Sequence, residues 1–232
     1  MNVIITGASK GLGKAIAEKF AGSGHQLFLC SRNKEELYAT QQALIQKNAN
    51  TKIKIMAVDI SQKENAIAFG EFCLAAGAPD ILINNAGSFL PGTIQTEKDG
   101  VFEQMLSTNL HSAYHLTRAV LSKMMEAKNG HIFNMCSIAS LNAYKNGGSY
   151  SISKFALLGF SRNLREELKP FNIKVTAVIP GAVYTDSWSK TDVQPERIMA
   201  ADDVANMIYA ASLLSPQACV EEIIMRPQLG DL

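Results

Sequence analysis

Short apolar runs alternate along the chain with stretches whose apolar residues recur at helical spacing. NVIIT at 2–6 reads as a strand, passes through the glycine-rich turn TGASKGLG, and enters the helical pattern GKAIAEKFAGSG. QLFLCS at 26–31 predicts a second strand, NKEELYATQQALIQKN an amphipathic helix, IKIMAVDI a third strand ending near Asp59, and 61–76 another helix. DILINNAG at 80–87 predicts a fourth strand, about 98–126 one long helix, and GHIFNMCS at 130–137 a fifth strand. A helix carrying Tyr150 then runs to about Lys169 and stops before Pro170. IKVTAVIPG forms a sixth strand, and a helix (ADDVANMIYAASLL) and a strand (CVEEIIMRPQ) follow. Alternation of this kind predicts an α/β fold, a doubly wound parallel sheet of about seven strands flanked by helices. No linker or internal repeat interrupts the pattern, so one domain over residues 1–232 is expected.

One sustained stretch, about 182–200, lacks either periodicity. It follows a strand's carboxyl end, where a substrate lid is expected. Trp188 lies in it, either as a wall for an apolar or planar substrate or as a loop residue packed on the body.

Composition narrows the possible partners. Hydrophobic residues make up 47% of the chain, charged residues 19%, and the mean hydropathy is +0.03, enough apolar material for a buried sheet. A net charge of +1, from 22 basic and 21 acidic side chains, gives no broad field for nucleic acid or anionic lipid, so a small molecule held at a local site is the expected partner. No apolar run approaches the 18 or so residues of a membrane span, and Met1 leads almost directly into a strand without room for a signal peptide. A cytoplasmic location is expected. Cys30, Cys73, Cys136 and Cys219 are scattered and read as buried thiols in a reducing compartment. His111 and His115 stand at helical spacing without a third ligand nearby, so they read as helix residues and no metal is expected.

The first strand, glycine turn and helix suit a dinucleotide. Gly7 permits the tight turn, Gly11 a close approach to pyrophosphate, and Gly13 the packing of helix on sheet, while the helix N-terminus offers unpaired N–H groups. The glycines fall as GxxxGxG, not as the generic GxGxxG. An acid near the end of the second strand would bind adenine ribose hydroxyls, but residues 26–34 contain none. Arg32 and Lys10 stand there instead, and if they are more than solvated surface charges they favour a 2′-phosphate, hence NADP(H) over NAD(H). Asn84, Asn85, Ala86 and Gly87 are small residues and amides able to line a ligand crevice, or simply a turn. Asn109, in the middle of the long predicted helix, is either locally required or solvent-facing.

Tyr150 and Lys154 are four residues apart and project from one helix face. An ammonium one turn from a phenol favours loss of the phenolic proton, which ordinarily leaves near pH 10. The pair can equally be an ordinary surface pair. Ser137 can meet Tyr150 only where a strand end and the next helix start converge, as in an α/β sheet.

TGASKGLG at 6–13, Asp59, NNAG at 84–87, Asn109, Ser137, YSISK at 150–154 and PGAVYT at 180–185 stand in the order and spacing of the short-chain dehydrogenase/reductase family. The chain resembles that family over essentially its whole length, and GxxxGxG is the family's form of the nucleotide loop. The resemblance implies a Rossmann-type fold, with Tyr150 as proton donor or acceptor and Lys154 making the phenol more acidic while holding the nicotinamide ribose. It implies Ser137 as a hydrogen-bond partner of the substrate oxygen and Asn109 as anchor of a proton-relay water. Cofactor contacts are implied at Gly7, Ser9, Lys10, Gly11, Leu12, Gly13, Ser31, Arg32, Asp59, Ile60, Asn85, Ala86, Gly87, Tyr150, Lys154, Pro180, Gly181, Val183 and Thr185. Substrate contacts are implied at Ser137, Tyr150 and Trp188.

At finer grain, PGAVYTDSWSK and the terminal VEEIIMRPQLGDL are similar to bacterial sepiapterin-reductase-like members, while 3-oxoacyl-carrier-protein reductases share the catalytic motifs. The implied reaction is hydride transfer from NADPH to a carbonyl carbon, on a pterin, a small diketone or alternatively a 3-oxoacyl thioester. Pairing into a homodimer or homotetramer through the 98–126 and Tyr150 helices is implied too. An alternative of another class is a non-catalytic protein of this fold that senses the NADP redox state or serves structurally. Such a protein need not keep Tyr150 and Lys154, and both are present.

Overall fold

Alternate residues of β1 (Asn2–Thr6) enter two different cores: Val3 and Ile5 face one, Ile4 the other, and all three are fully buried. This two-sided burial follows from the period of a strand and sets the layering of the whole chain. The computed structural model describes residues 1–185, 188 and 192–231. After β1 come α1 (Gly11–Ala21), β2 (Gln26–Ser31), α2 (Lys34–Lys47), β3 (Lys52–Ala57), α3 (Lys63–Leu74) and β4 (Ile81–Asn84). The second half holds α4 (Val101–Leu106), α5 (Ser112–Ala127), β5 (Gly130–Met135), α6 (Gly148–Leu168), β6 (Ile173–Pro180), the short β7 (Val183–Tyr184) and β8 (Met199–Ala200), α7 (Ala201–Ser212) and β9 (Glu222–Met225).

Seven strands form one parallel sheet in the order β3-β2-β1-β4-β5-β6-β9. Helices α1, α2 and α7 cover one face through Ile16, Phe20, Leu37, Leu44, Val204 and Ile208. Helices α3, α5 and α6 cover the other through Phe69, Cys73, Leu116, Val120, Met124 and Leu164. The expected doubly wound sheet is therefore present, with strand ends a few residues shorter than the apolar runs. Winding reverses between β1 and β4, which pair as Val3↔Ile81 and Ile5↔Ile83. A crevice at the carboxyl ends of these two strands is where such sheets hold ligands.

Two expectations change. The long helix over 98–126 is not continuous: a π turn, Ser107–His111, separates α4 from α5 and contains Asn109. Within the expected lid, β7 and β8 pair in parallel, Val183 opposite Met199. The remainder of that expectation falls partly on residues 186, 187 and 189–191, which lie outside the described residues. Among the described residues no helix is long and apolar enough to cross a membrane, and the four cysteines are free.

Candidate active site

The loop after β1 is built around missing side chains. Gly7 and Gly11 hold φ of +65° and +55°, a conformation that disfavours any residue with a Cβ. A Cβ on Gly13 would collide with the Gly7 carbonyl and lie 2.5 Å from Asn85 Nδ2. Asn85, just beyond β4, clamps this loop across the switch point: its Nδ2 donates to the Thr6 carbonyl at 2.8 Å and the Gly7 carbonyl at 3.2 Å. The main-chain N–H groups of Asn85 and Ala86 both donate to the buried Thr6 hydroxyl, at 3.0 and 2.8 Å. The first turn of α1 contains no acid. Bare backbone, positive φ and an unneutralised helix N-terminus fit a pyrophosphate.

At the carboxyl ends of β1 and β2, Ser9 and Ser31 share a 2.9 Å hydrogen bond, and exposed Lys10 and Arg32 flank them in sequence. Glu36 is there as well, accepting from Ser9 Oγ at 3.3 Å. No acid occurs in 26–34, but the first turn of α2 supplies Glu35 and Glu36, of which Glu36 meets Ser9, so a carboxylate lies beside the two serines along with the cations that flank them in sequence. This arrangement suits a phosphate better than a neutral diol, and less strongly than two unopposed cations would. Leu12 packs against the core from a half-buried position. Asp59 Oδ1 accepts from Ser61 N at 3.0 Å, and Ile60 is buried in the second core.

The stretch after β6 also returns to this loop: a Cβ on Gly11 would lie 3.4 Å from the Thr185 side chain. Val183 is buried in the first core, leaving its main chain as the part able to meet a ligand. Pro180 ends β6, and Gly181 donates its N–H to the Met225 carbonyl at 2.8 Å and lies against Pro227 and Asp231, so its space is taken by the C-terminal stretch. Trp188 is half-buried and donates its N–H to the Thr185 carbonyl at 2.9 Å.

Tyr150 occupies the first turn of α6, beyond the carboxyl end of β5. Lys154 follows one turn later, its Nζ 5.8 Å from the Tyr150 ring centroid. The Lys154 side chain is buried, and its ammonium donates to the Met135 carbonyl at 2.6 Å, which anchors the charge on the last residue of β5. Ser137, half-buried, uses its hydroxyl oxygen to accept from Ala139 N at 3.2 Å, so its own proton remains available. Asn109 is 1% exposed, not solvent-facing. Its Nδ2 donates to the Ser88 carbonyl at 3.0 Å and to Ser153 Oγ at 2.9 Å, and its Oδ1 accepts from Ser88 N at 2.8 Å. A Cβ on Gly87 would lie 3.2 Å from Asn109 Oδ1 and 3.6 Å from Lys154 Nζ, so Gly87 is the spacer between them.

Two ionisable groups near Tyr150 are held in their neutral forms. Burial, and secondarily the nearby Tyr150 phenol, push the Tyr144 phenol up to about 12, so Tyr144 stays protonated. Burial pushes the Cys136 thiol up to about 11 despite the Lys154 ammonium, so it is no nucleophile at neutral pH.

Sequence reading missed several contributors and misplaced one. Phe89, half-exposed, packs edge-on against the Tyr150 ring with centroids 4.8 Å apart. Ser153 Oγ donates to the Tyr150 carbonyl at 2.7 Å and links it to Asn109. Glu97 reaches Ser149, next to Tyr150. For Glu36 a signal was present, since Asn33 and Glu36 have the spacing of a helix cap and Asn33 Oδ1 accepts from Glu36 N at 2.9 Å. Asn84 does not line the crevice; it is 3% exposed and donates into the sheet–helix interior, to Thr117 Oγ1 and Asn134 Oδ1. Strand alternation puts Asn84 on the same side of β4 as Leu82, toward α5, while Asn85 has already left the strand.

Known proteins share this organisation. The sequence profile described as short chain dehydrogenase matches residues 1–196. A sepiapterin reductase of Chlorobaculum tepidum is 32% identical over 239 aligned positions, covering 99% of this chain and 97% of that protein. A metagenomic short-chain oxidoreductase solved in complex with NADP superposes with a TM-score of 0.86 at 31% identity, covering 98% and 97% of the two chains. A β-ketoacyl-[ACP] reductase from Bacteroides thetaiotaomicron gives a TM-score of 0.85 at 32% identity, with coverage of 98% and 97%. With a family profile over most of its length and relatives above 30% identity across nearly all of it, the chain belongs to the short-chain dehydrogenase family of oxidoreductases.

Proposed function

We propose that the chain is an NADP(H)-dependent carbonyl reductase in which Tyr150 protonates the substrate oxygen. The observation that carries this reading is Lys154 held one helical turn from Tyr150, its ammonium 5.8 Å from the phenol ring and anchored on the Met135 carbonyl. NADPH supplies the hydride when bound. The glycine loop after β1 and the N-terminus of α1 would hold its pyrophosphate, while Ser9, Lys10, Ser31 and Arg32 would hold the 2′-phosphate against the opposing charge of Glu36. The NADP complex of the similar oxidoreductase supports the cofactor choice. Lys154 supplies the positive charge that favours transfer of the Tyr150 proton and would hold the nicotinamide ribose when the cofactor is bound. Ser137 directs its free hydroxyl proton at the same substrate oxygen, and Asn109 fixes the floor of the site through Ser88 and Ser153.

The half-exposed Phe89 ring against Tyr150 favours a flat substrate, a pterin or small diketone, in keeping with the similarity to a sepiapterin reductase. A 3-oxoacyl thioester is the second reading, favoured by the 32% identity to a β-ketoacyl reductase. We read residues 1–232 as one domain, the 182–200 stretch as the substrate lid with Trp188 as a wall, and the cytoplasm as the location. The direct experiment is NADPH oxidation by purified protein with sepiapterin, diacetyl, a quinone and an acetoacetyl thioester, repeated with Tyr150→Phe. Turnover of at least one carbonyl, lost in Tyr150→Phe with NADPH affinity retained, is expected. Full activity in Tyr150→Phe removes the assignment of the acid, and no turnover of any carbonyl favours a non-catalytic nucleotide binder.

A further inference from the structure

We propose that Glu97 is a positioning residue for Tyr150: its carboxylate, delivered from the connection between β4 and α4, caps the N-terminus of α6 and fixes the turn in which Tyr150 sits. This rests on the reading of Tyr150 as the proton donor.

Tyr150 stands where a helix is least secure. The first four N–H groups of a helix have no partner within it, and the end frays unless something outside accepts from them. In α6 the capping position is Gly147, which brings no side chain, the first residue is Gly148, and the first turn holds no acid. No side chain at the capping position or acid in the first turn therefore accepts from the free N–H groups of the turn that carries Tyr150.

Glu97 supplies the cap from 52 residues away. One carboxylate oxygen accepts from Ser149 N at 2.8 Å and the other from Ser149 Oγ. Ser149 is 2% exposed and directly precedes Tyr150. Both bonds are charge-assisted, and a carboxylate at this end also meets the positive pole of the helix. The glycines make room for it: a Cβ on Gly148 would overlap Glu97 Oε1, and a Cβ on Gly92 would lie 2.7 Å from Glu97 Cγ. Gly92 N donates to the Asn146 carbonyl at 3.1 Å, a second tie between the same two segments.

The same connection holds Tyr150 at two further points. Phe89 packs on its ring, and Ser88 binds Asn109, whose Nδ2 reaches Ser153, the donor to the Tyr150 carbonyl. Phe89 and Ser153 have local partners of their own, whereas the backbone entering Tyr150 has Glu97. Without it the body of α6 stays packed through Leu157, Leu158, Leu164 and Leu168, and only the first turn loosens. A displacement of about 1 Å at a catalytic group can cost on the order of a hundredfold in rate.

The test compares Glu97→Ala, Glu97→Gln, Tyr150→Phe and the unmodified full chain. Hydrogen exchange by mass spectrometry reads the peptide spanning 148–153 without cofactor or substrate. NADPH affinity is read by fluorescence titration, and kcat and KM with sepiapterin and diacetyl. In Glu97→Ala, exchange over 148–153 is expected to accelerate about tenfold or more while 157–168 stays protected, and kcat to fall about tenfold or more with NADPH affinity unchanged. Glu97→Gln keeps one acceptor oxygen and should recover part of both effects. Unchanged exchange over 148–153 overturns the cap, and unchanged kcat overturns the positioning role. Loss of protection along all of α6 overturns it as well, since Glu97 would then hold the fold and not the turn. Should Tyr150→Phe keep full activity, the reading of the acid fails, while exchange still reports on the cap by itself.

Discussion

His131 makes stability depend on pH in a calculable way. It lies at the start of β5, 5% exposed, with Nε2 2.7 Å from Thr176 Oγ1. The Thr176 hydroxyl donates to the Val220 carbonyl, so it accepts from His131, and the proton of the neutral ring sits on Nε2. That leaves Nδ1 buried without a partner among the described residues, on a ring stacked against Phe133 with centroids 3.9 Å apart. Protonation would place a charge there, and burial first, then the Lys174 ammonium, push His131 down to about 3. In the unfolded chain a histidine titrates near 6.5. The folded value is depressed, so the unfolded chain binds the extra proton first: the stability is fully present above about pH 6.5 and is lost progressively as pH falls toward 3. At pH 5 the unfolded state gains about 2 kcal/mol, and over the full interval about 5 kcal/mol. Urea unfolding of the unmodified protein and of His131→Leu, at steps from pH 8 to pH 5, isolates this contribution because the other histidines are common to both. The stability difference should be flat above pH 7 and shift by about 2 kcal/mol against the unmodified protein by pH 5. A difference constant across the range, or an imidazole resonance of folded His131 titrating near 6.5, refutes the reasoning.

Gly13→Ala should destabilise by about 1–3 kcal/mol, since its Cβ meets the Gly7 carbonyl and Asn85 Nδ2, and should also weaken NADPH; thermal unfolding and a cofactor titration check both, and wild-type values on both would contradict the close packing. Arg32→Ala should weaken NADPH about tenfold or more while leaving NADH nearly untouched, and Glu36→Gln should move the ratio the other way; equal losses for both cofactors would place Arg32 outside the phosphate site. Sedimentation at micromolar concentration is expected to show a dimer or tetramer, because Phe102 and Tyr114 on the α4–α5 side and Ile152 and Phe155 on α6 are large apolar residues left half-exposed; a monomer contradicts this.

What the sequence made legible was what local period controls. Val3, Ile4 and Ile5 declared a strand with two buried faces, and Tyr150 and Lys154 declared a shared helix face, because each pattern spans only a few residues. The parts that stayed hidden depend on contacts closed by the fold. Glu97 and Ser149 are 52 residues apart, and nothing near either one marks the other. Asn84 and Asn85 are adjacent and chemically identical, yet the last position of β4 sends one into the Thr117–Asn134 interior and the turn that follows sends the other onto the glycine loop. Glu36 stays hidden because the end of the second strand carries no acid, while the fold brings one from the next helix against Ser9.

The π turn at Ser107–His111 solves a problem of phase. Met105, Asn109, Ala113, Leu116, Val120 and Met124 are all buried along α4 and α5, at successive steps of four, four, three, four and four residues. Five turns of a regular α-helix take about eighteen residues, and this series takes nineteen, so a straight helix would arrive at Met124 about 100° out of alignment with Met105. A single wider turn absorbs the surplus residue. Asn109 can therefore look into the site while Leu116 and Val120, on the same rod, look into the sheet. The chain carries the equivalent of a one-residue insertion, kept at the place where the helix passes from serving chemistry to serving the core.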